Sequence, residues 1–193
     1  MSSSARGPHE VRIIGGQWKR SKLPVVDAPG LRPTPDRVRE TLFNWLGQDL
    51  EGWRCLDAFA GSGALGFEAA SRGAADVTLL ERDGKLAHGL RAVQERLQAD
   101  TVRIEAADAL AWMARCAPER FALVFSDPPF DADLFLPALR AAARMVAPGG
   151  FIYLEADRSF ADEPALAELG LRLHREGRAG TVYFHLIQRS EPG

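Results

Sequence analysis

The stretch RCLDAFAGSGALG, Arg54 to Gly66, carries three signals in succession: a short apolar run, an acid and a glycine-rich loop. An apolar run bounded by turn residues predicts a strand covered on both faces, and glycines directly behind it predict a sharp turn into a helix. Working outward, DVTLLE, VRIEAAD, FALVFSD and GFIYLEAD repeat the strand signal, each bounded by Gly, Asp or Pro. Helical periodicity fills the gaps. Leu86, Leu90, Val93 and Leu97 recur at i, i+4, i+7 and i+11 behind Asp83, a residue suited to an N-cap. Leu136, Leu139, Ala143 and Val146 make a second stripe, closed by Pro148 and Gly149. Strands alternating with helices imply parallel pairing through right-handed crossovers, so the expected class is α/β with a doubly wound sheet. The end of the chain breaks the alternation. LRLHREG and TVYFHLI, around Gly177 to Gly180, predict a β-hairpin that adds an antiparallel strand to a mostly parallel sheet.

A chain of 193 residues, 46% hydrophobic and 26% charged, fits one well-buried soluble domain with a small appendage. The appendage is legible as residues 11–46, following a polar tail over 1–10. VRIIGG and LPVV read as a short hairpin with Lys19, Arg20 and Lys22 on its connection. GLRPTPDRVRETLFNWLG then reads as a turn and a helix, with Thr34 at the cap, Pro35 at the first position, and Val38, Leu42, Trp45 and Leu46 facing inward. Residues 1–46 hold eight Lys and Arg against four Asp and Glu, a net of plus 4, so the remainder carries minus 6 of a total of minus 2. A basic arm on an acidic body suggests a polyanionic partner, against the plainer reading of a solvated surface. The start MSSSARGPHEV has no signal-peptide core and no run reaches the length of a membrane span, which places the expected protein in the cytoplasm. Cys55 and Cys116 read as core thiols, and four scattered histidines give no metal-ligand spacing.

In an open α/β sheet, ligands bind beyond the carboxyl ends of the strands. Asp57, Glu81, Asp108 and Asp127 fall at the ends of the first four predicted strands. Each taken singly reads as a helix cap; four in succession read as a binding rim. Gly61, Gly63 and Gly66 satisfy GxGxxG, and Glu81 lies where an acid that binds a ribose belongs, for NAD or any other adenosine ligand. Charge separates those ligands. A pyrophosphate is repelled by Asp57 and Asp127, whereas S-adenosylmethionine has no phosphate and carries a sulfonium and an ammonium.

The first four strands end most oddly at SDPPFDAD, Ser126 to Asp133. Two prolines remove backbone donors but keep their carbonyl acceptors in a rigid turn. The lone pair of an exocyclic amine is delocalised, so methyl transfer to it needs acceptors that hold its hydrogens and aim the nitrogen. Asp127 and the Pro128 carbonyl suit that role, with Pro129 fixing the turn and Phe130 stacking on the planar group. The plainer reading is an Asp-Pro turn into a helix capped by Asp131 or Asp133. A carboxylate tilts the target toward guanine, whose N1 and amino group are adjacent donors, without excluding adenine; either base must be unpaired to be reached.

The blocks VRIIGGQWKRSKLPV, LRPTPDRVRETLFNWL, LDAFAGSGALGFEAASRGA and DPPF together resemble the bacterial 16S ribosomal RNA guanine-N2 methyltransferase family, from about Val11 to the terminal hairpin. The resemblance implies a class I, Rossmann-like methyltransferase sheet over residues 47–193, an RNA-engaging extension over 11–46, and an assembling small ribosomal subunit as substrate. It also implies roles. Asp57, Phe59, Gly61, Ser62 and Gly63 would surround the methionine part of S-adenosylmethionine, Glu81 with Arg82 the ribose, and Asp108 with Ala109 the adenine. Asp127, Pro128, Pro129 and Phe130 would hold the target guanine. Arg12, Lys19, Arg20, Lys22, Arg32 and Arg37 would meet phosphates, although Arg37 and Arg39 read equally as surface helix charges. The implied enzyme uses no metal and is expected to be a monomer. Three rivals stay open: an adenine-N6 methyltransferase, a nicotinamide-dependent oxidoreductase, and a noncatalytic RNA-binding protein.

Overall fold

The five apolar runs form strands β3 (Arg54–Asp57), β4 (Asp76–Glu81), β5 (Val102–Ala106), β6 (Phe121–Ser126) and β7 (Val146–Ala156). Helices α2 (Ala64–Ser71), α3 (Gly84–Leu97), α4 (Ala109–Arg115) and α5 (Phe135–Met145) connect them. Ahead of this series lie β1 (Glu10–Arg12), β2 (Lys22–Pro24) and α1 (Asp36–Trp45); behind it lie α6 (Pro164–Glu168), β8 (Leu171–Ala179) and β9 (Val182–Arg189). This computed structural model describes residues 10–25, 33–130 and 133–192; the tail before Glu10, Arg32 and Asp131 lie outside the described residues.

The large sheet has the order β5-β4-β3-β6-β7-β9-β8, parallel over its first five strands, with β9 antiparallel to both β7 and β8. From β3 the chain winds outward to β5, then returns to place β6 on the other side of β3. The strand order therefore reverses between β3 and β6, and a crevice opens at such a switch point. The C-terminal hairpin turns on Gly180 and Thr181, at the end of the stretch from Gly177 to Gly180 that the pattern marks; Gly177 itself lies inside β8, where a Cβ would meet the Phe184 ring.

Buried residues divide into two groups, one on each face of the sheet. Leu79, Leu123, Phe125 and Tyr153 meet α1, α2 and α3 on one face, while Leu80, Val124, Ile152 and Leu154 meet α4, α5 and α6 on the other. Asp83 caps α3 as the pattern predicts, accepting from the amides of Lys85 at 2.9 Å and Leu86 at 3.2 Å. Other local expectations change. Thr34 does not cap α1: the helix begins after Pro35 with no side-chain cap bond, and the Thr34 hydroxyl is drawn instead to Glu155. Asp133 does not cap α5 either, whose N-cap is Leu134. Val146 completes no helical stripe. It opens β7 opposite Phe121, and the register then shifts so that Leu123 faces Phe151, leaving Pro148 and Gly149 in the bulged stretch between.

The N-terminal hairpin and α1 share the core of the sheet rather than standing apart from it. Val11, Ile13, Leu23, Val38, Leu42, Phe43 and Leu46 are buried together with residues of α2 and β3. Consequently α2 is covered all round, and all eight of its residues are buried. Glu68, at 0% exposure, is the ionisable group of that helix. Its carboxylate accepts from the Ile14 amide at 2.9 and 3.1 Å and from the Gly15 amide at 3.5 Å, with Arg72 at 3.7 Å and Arg39 at 3.9 Å. Burial pushes its pKa up despite these partners. Arg39 is therefore no surface charge; it is 0% exposed and also donates to the carbonyls of Arg12 and Thr34 and to Asp36.

One turn below, Ser71 binds the same segment. Its hydroxyl donates to the Gly15 carbonyl at 2.6 Å and accepts the Trp18 amide at 3.0 Å. Gly16 packs so tightly there that a Cβ would sit 1.9 Å from the Ser71 carbonyl oxygen, and its φ of +79° disfavours any side chain. Replacing Glu68 by Ala would leave the Ile14 and Gly15 amides without their acceptor and remove the carboxylate beside Arg72 and Arg39. The expected loss of stability is about 3–5 kcal/mol, and Glu68→Gln, which keeps an acceptor, is expected to lose less. Urea unfolding of the two variants checks the ranking.

Candidate active site

The loop after β3 is built by continued pairing on both sides. The Ala58 amide donates to Phe125 on β6 and the Ala60 amide to Leu80 on β4, each at 3.0 Å. Gly63 then starts α2 from a φ of +81°, where a Cβ would lie 2.6 Å from the Phe67 ring. Having no side chain, Gly63 leaves the first-turn amides of α2 uncapped, and Asp57 supplies an acceptor from the strand behind: its Oδ2 takes the Gly66 amide at 3.0 Å. Asp57 is only 1% exposed. Burial pushes its pKa up to about 7, opposed by the Gly66 and Phe59 amides, so the group titrates near neutrality.

Glu81, half-buried at the end of β4, holds two loops at once. Its Oε2 accepts from Gly61 and its Oε1 from Asp83, both at 3.0 Å. Asp108 does what the plainer reading allowed: it caps α4 through the Ala111 amide at 2.9 Å, while its side chain stays exposed at the cleft edge. On the other side of β3, Asp127 follows β6 directly and is half-buried; Pro128 is buried and Pro129 exposed. Phe130 meets Phe135 edge-on at 5.3 Å, and Phe135 and His185 in turn flank Phe160. His185 is buried and neutral: Nε2 accepts the Phe160 amide at 3.1 Å and Nδ1 donates to the Leu154 carbonyl at 2.9 Å, and burial lowers its pKa.

These strand ends surround a cleft of about 610 Å³, the size of a cofactor pocket. Phe59, Gly61, Ser62, Glu81, Arg82, Asp108, Ala109, Asp127, Pro128, Pro129 and Phe130 all line it, as the sequence leads one to expect. Asp57 and Gly63 do not; both are buried and shape the glycine loop from behind. Among the described residues, the lining acids are Glu81, Asp83, Asp108, Asp127 and Glu155 against the single base Arg82. Such a lining repels phosphates and attracts a cationic ligand, which fits S-adenosylmethionine and not a dinucleotide.

Sequence reasoning missed Glu155 and Thr34, which also line the cleft, together with Pro33, Pro35, Val38, Ala179 and Val182. Glu155 had a signal, since GFIYLEAD carries an acid near the end of the fifth strand as the other four runs do. Thr34 had none, because its position before a helix gave it a complete local role.

Among the described residues, none of the basic residues expected to meet phosphates lines the cleft. Lys19 and Arg20 lie in the turn held against Ser71, at the end of α2 remote from the glycine loop, and the Lys22 carbonyl accepts from Arg96 near the end of α3. α3 spans 14 residues, so this contact is about 20 Å from the cleft end of that helix. Lys22 also pairs with Glu10 at 3.3 Å. Arg12 and Arg37 are exposed; Arg32 lies outside the described residues.

The family described as conserved hypothetical protein 95 matches residues 11–188, the hairpin, α1 and the whole sheet included. The chain belongs to this family. It is 42% identical to ribosomal RNA small subunit methyltransferase D of Escherichia coli K12, over 97% of this chain and 94% of that protein. The Haemophilus influenzae protein of the same name is 40% identical over 93% of this chain and 94% of its own. The solved structure of yhhF from Escherichia coli superposes with a TM-score of 0.83 at 42% identity, covering 95% of this chain and all of that one. With these relatives and this sheet, the protein is a class I methyltransferase.

The raised pKa of Asp57 has a direct consequence for stability. Between its unfolded value of 3.8 and its folded value of about 7 the native state holds the extra proton, so the native state loses stability as pH rises through that window. Relative to Asp57→Asn, the wild-type protein is therefore expected to weaken from pH 5 to pH 8. Urea midpoints for both proteins across that range check the sign.

Proposed function

We propose that the protein transfers a methyl group from S-adenosylmethionine to the N2 amine of a guanine in small-subunit ribosomal RNA. The observation that carries the reading is the meeting of the glycine loop and the DPPF turn in one acidic cleft at the strand-order reversal. The substrate class follows the names of the full-length relatives, and the basic segment 11–46 suits an RNA partner. S-adenosylmethionine supplies an electrophilic methyl group on a cationic sulfur.

In this reading Phe59, Gly61 and Ser62, braced from behind by Asp57 and Gly63, form the wall for the methionine part. Glu81 and Arg82 take the ribose, and Asp108 with Ala109 takes the adenine. Asp127 and the Pro128 carbonyl each accept one hydrogen of the target amine, which aims its lone pair at the methyl carbon for in-line displacement. With the donor bound, the Asp127 carboxylate would receive the proton that the amine nitrogen sheds as it takes the methyl group. Phe130, held edge-on by Phe135, stacks on the flipped base. Arg12, Lys19, Arg20, Lys22 and Arg37 contact phosphates of a large RNA surface, since Lys19 to Lys22 lie far from the cleft. The substrate is an assembling small subunit in the cytoplasm, met by a monomer that uses no metal.

The test is transfer of labelled methyl groups to small-subunit particles and to free RNA, with the product nucleoside identified by mass spectrometry. N2-methylguanosine is expected, and N6-methyladenosine would overturn the reading. Asp127→Ala is expected to slow transfer roughly 100- to 1000-fold while leaving donor affinity in calorimetric titration nearly unchanged. Tight binding of NAD without binding of S-adenosylmethionine would point to a different enzyme altogether.

A further inference from the structure

Glu155 stands in the cleft beside the DPPF turn and has no role in the reaction so far described. Ser126 and Leu154 are register partners on the parallel strands β6 and β7, so the residues that follow them, Asp127 just past the end of β6 and Glu155 still within β7, lie side by side. Adjacent strands are about 4.8 Å apart. Side chains alternate along a strand, which puts Asp127 and Glu155 on the same face as Phe125 and Tyr153, the face that α1 covers. Glu155 is 6% exposed and lines the cleft.

Two hydroxyls fix its carboxylate. Tyr153 donates at 2.7 Å and Thr34 at 3.0 Å, both to Oε1. Tyr153 is kept a phenol, and hence a donor, because burial and the neighbouring Glu155 carboxylate raise its pKa well above the usual value. Among the described residues no hydrogen-bond donor meets Oε2. A carboxylate that is nine-tenths buried, oriented through one oxygen and open at the other, is an acceptor waiting for a donor.

Guanine and adenine differ at N1: guanine carries a hydrogen there and adenine a lone pair. If Asp127 and Pro128 hold the two hydrogens of the N2 amine, the next group along the same edge of guanine is N1–H. We infer that Glu155 is the residue that selects guanine, accepting its N1–H through Oε2, and that Thr34 and Tyr153 position it for that contact. The inference rests on the proposed guanine-N2 transfer and adds the residue that would enforce it. A base with a lone pair at N1 would leave the buried carboxylate facing another acceptor, a mismatch that a built polar site rejects strongly.

The test uses small-subunit particles reconstituted with RNA carrying either guanine or 2,6-diaminopurine at the mapped target position. Diaminopurine keeps the N2 amine but replaces N1–H by a lone pair. Wild-type protein is expected to prefer guanine by at least about 100-fold in kcat/KM. Glu155→Gln keeps an oxygen for Thr34 and Tyr153 and can present an amide N–H to the base, so its preference is expected to shrink at least tenfold. Donor affinity and melting temperature should stay near wild type. Equal wild-type use of the two bases, or a guanine preference unchanged in Glu155→Gln, overturns the assignment to Glu155 while leaving the N2 transfer intact. Failure of the wild type to form any N2-methylguanosine instead removes the underlying reading together with this one.

Discussion

The buried carboxylate of Glu68 is the contact on which the rest of the architecture depends. It sits in the middle of α2, the helix that the glycine loop starts, and binds the backbone of the N-terminal hairpin through Ile14 and Gly15. A charge in that position is costly, and two loosely placed guanidiniums do not remove the cost, since burial still raises its pKa. The short amide bonds do more. They turn a desolvated acid into a clamp between two parts of the chain separated by more than fifty residues. Ser71 and Gly16 extend the clamp by one turn, so the hairpin is docked in a single orientation. Through Arg39, which binds Arg12 and Thr34 carbonyls, the same network fixes the start of α1 at the wall of the cleft.

The cleft repeats that logic at its rim. Five consecutive parallel strands, β5, β4, β3, β6 and β7, each carry an acid within two residues of the carboxyl end: Asp108, Glu81, Asp57, Asp127 and Glu155. Their tasks differ because their surroundings differ. Asp57 is sealed behind the glycine loop and spends its acceptors on backbone amides. Glu81 ties two loops together, and Asp108 caps a helix at the edge. Asp127 and Glu155 are left side by side on the wall formed by the DPPF turn, one half-buried and the other nearly sealed. A cationic ligand is stabilised by all of them at once, which is a long-range effect of the sheet and not of any one residue.

Much of this was legible in residue order. The five parallel strands, the Asp83 cap, the terminal hairpin and the meeting of the glycine loop with the DPPF turn all followed from periodicity and turn chemistry. The misreadings share a cause. Thr34 before Pro35 and Asp36 satisfies every local rule for a helix cap, yet a buried carboxylate brought in by β7 is a stronger acceptor-donor match than a helix end near solvent. Arg39 in a polar helix reads as a surface charge until α2 arrives with Glu68. Val146 fits a helical stripe by spacing, but Phe121 claims it for the sheet. In each case a partner distant in sequence outbid a local one.

Residue order by itself determined the alternation of strands and helices, the switch from parallel to antiparallel, and which short motifs carry chemistry, because these depend on period, on turn residues and on neighbours a few positions away. Only the tertiary structure decided that Asp57 braces the loop from behind and that the basic turn at Lys19 to Lys22 lies at the far end of α2 and α3. It alone brought Glu155 and Thr34 together across 121 positions in the lining of the cleft. Those outcomes depend on strand order and register, which bring distant residues within hydrogen-bond distance, and on burial, which makes each such bond expensive to leave unmade.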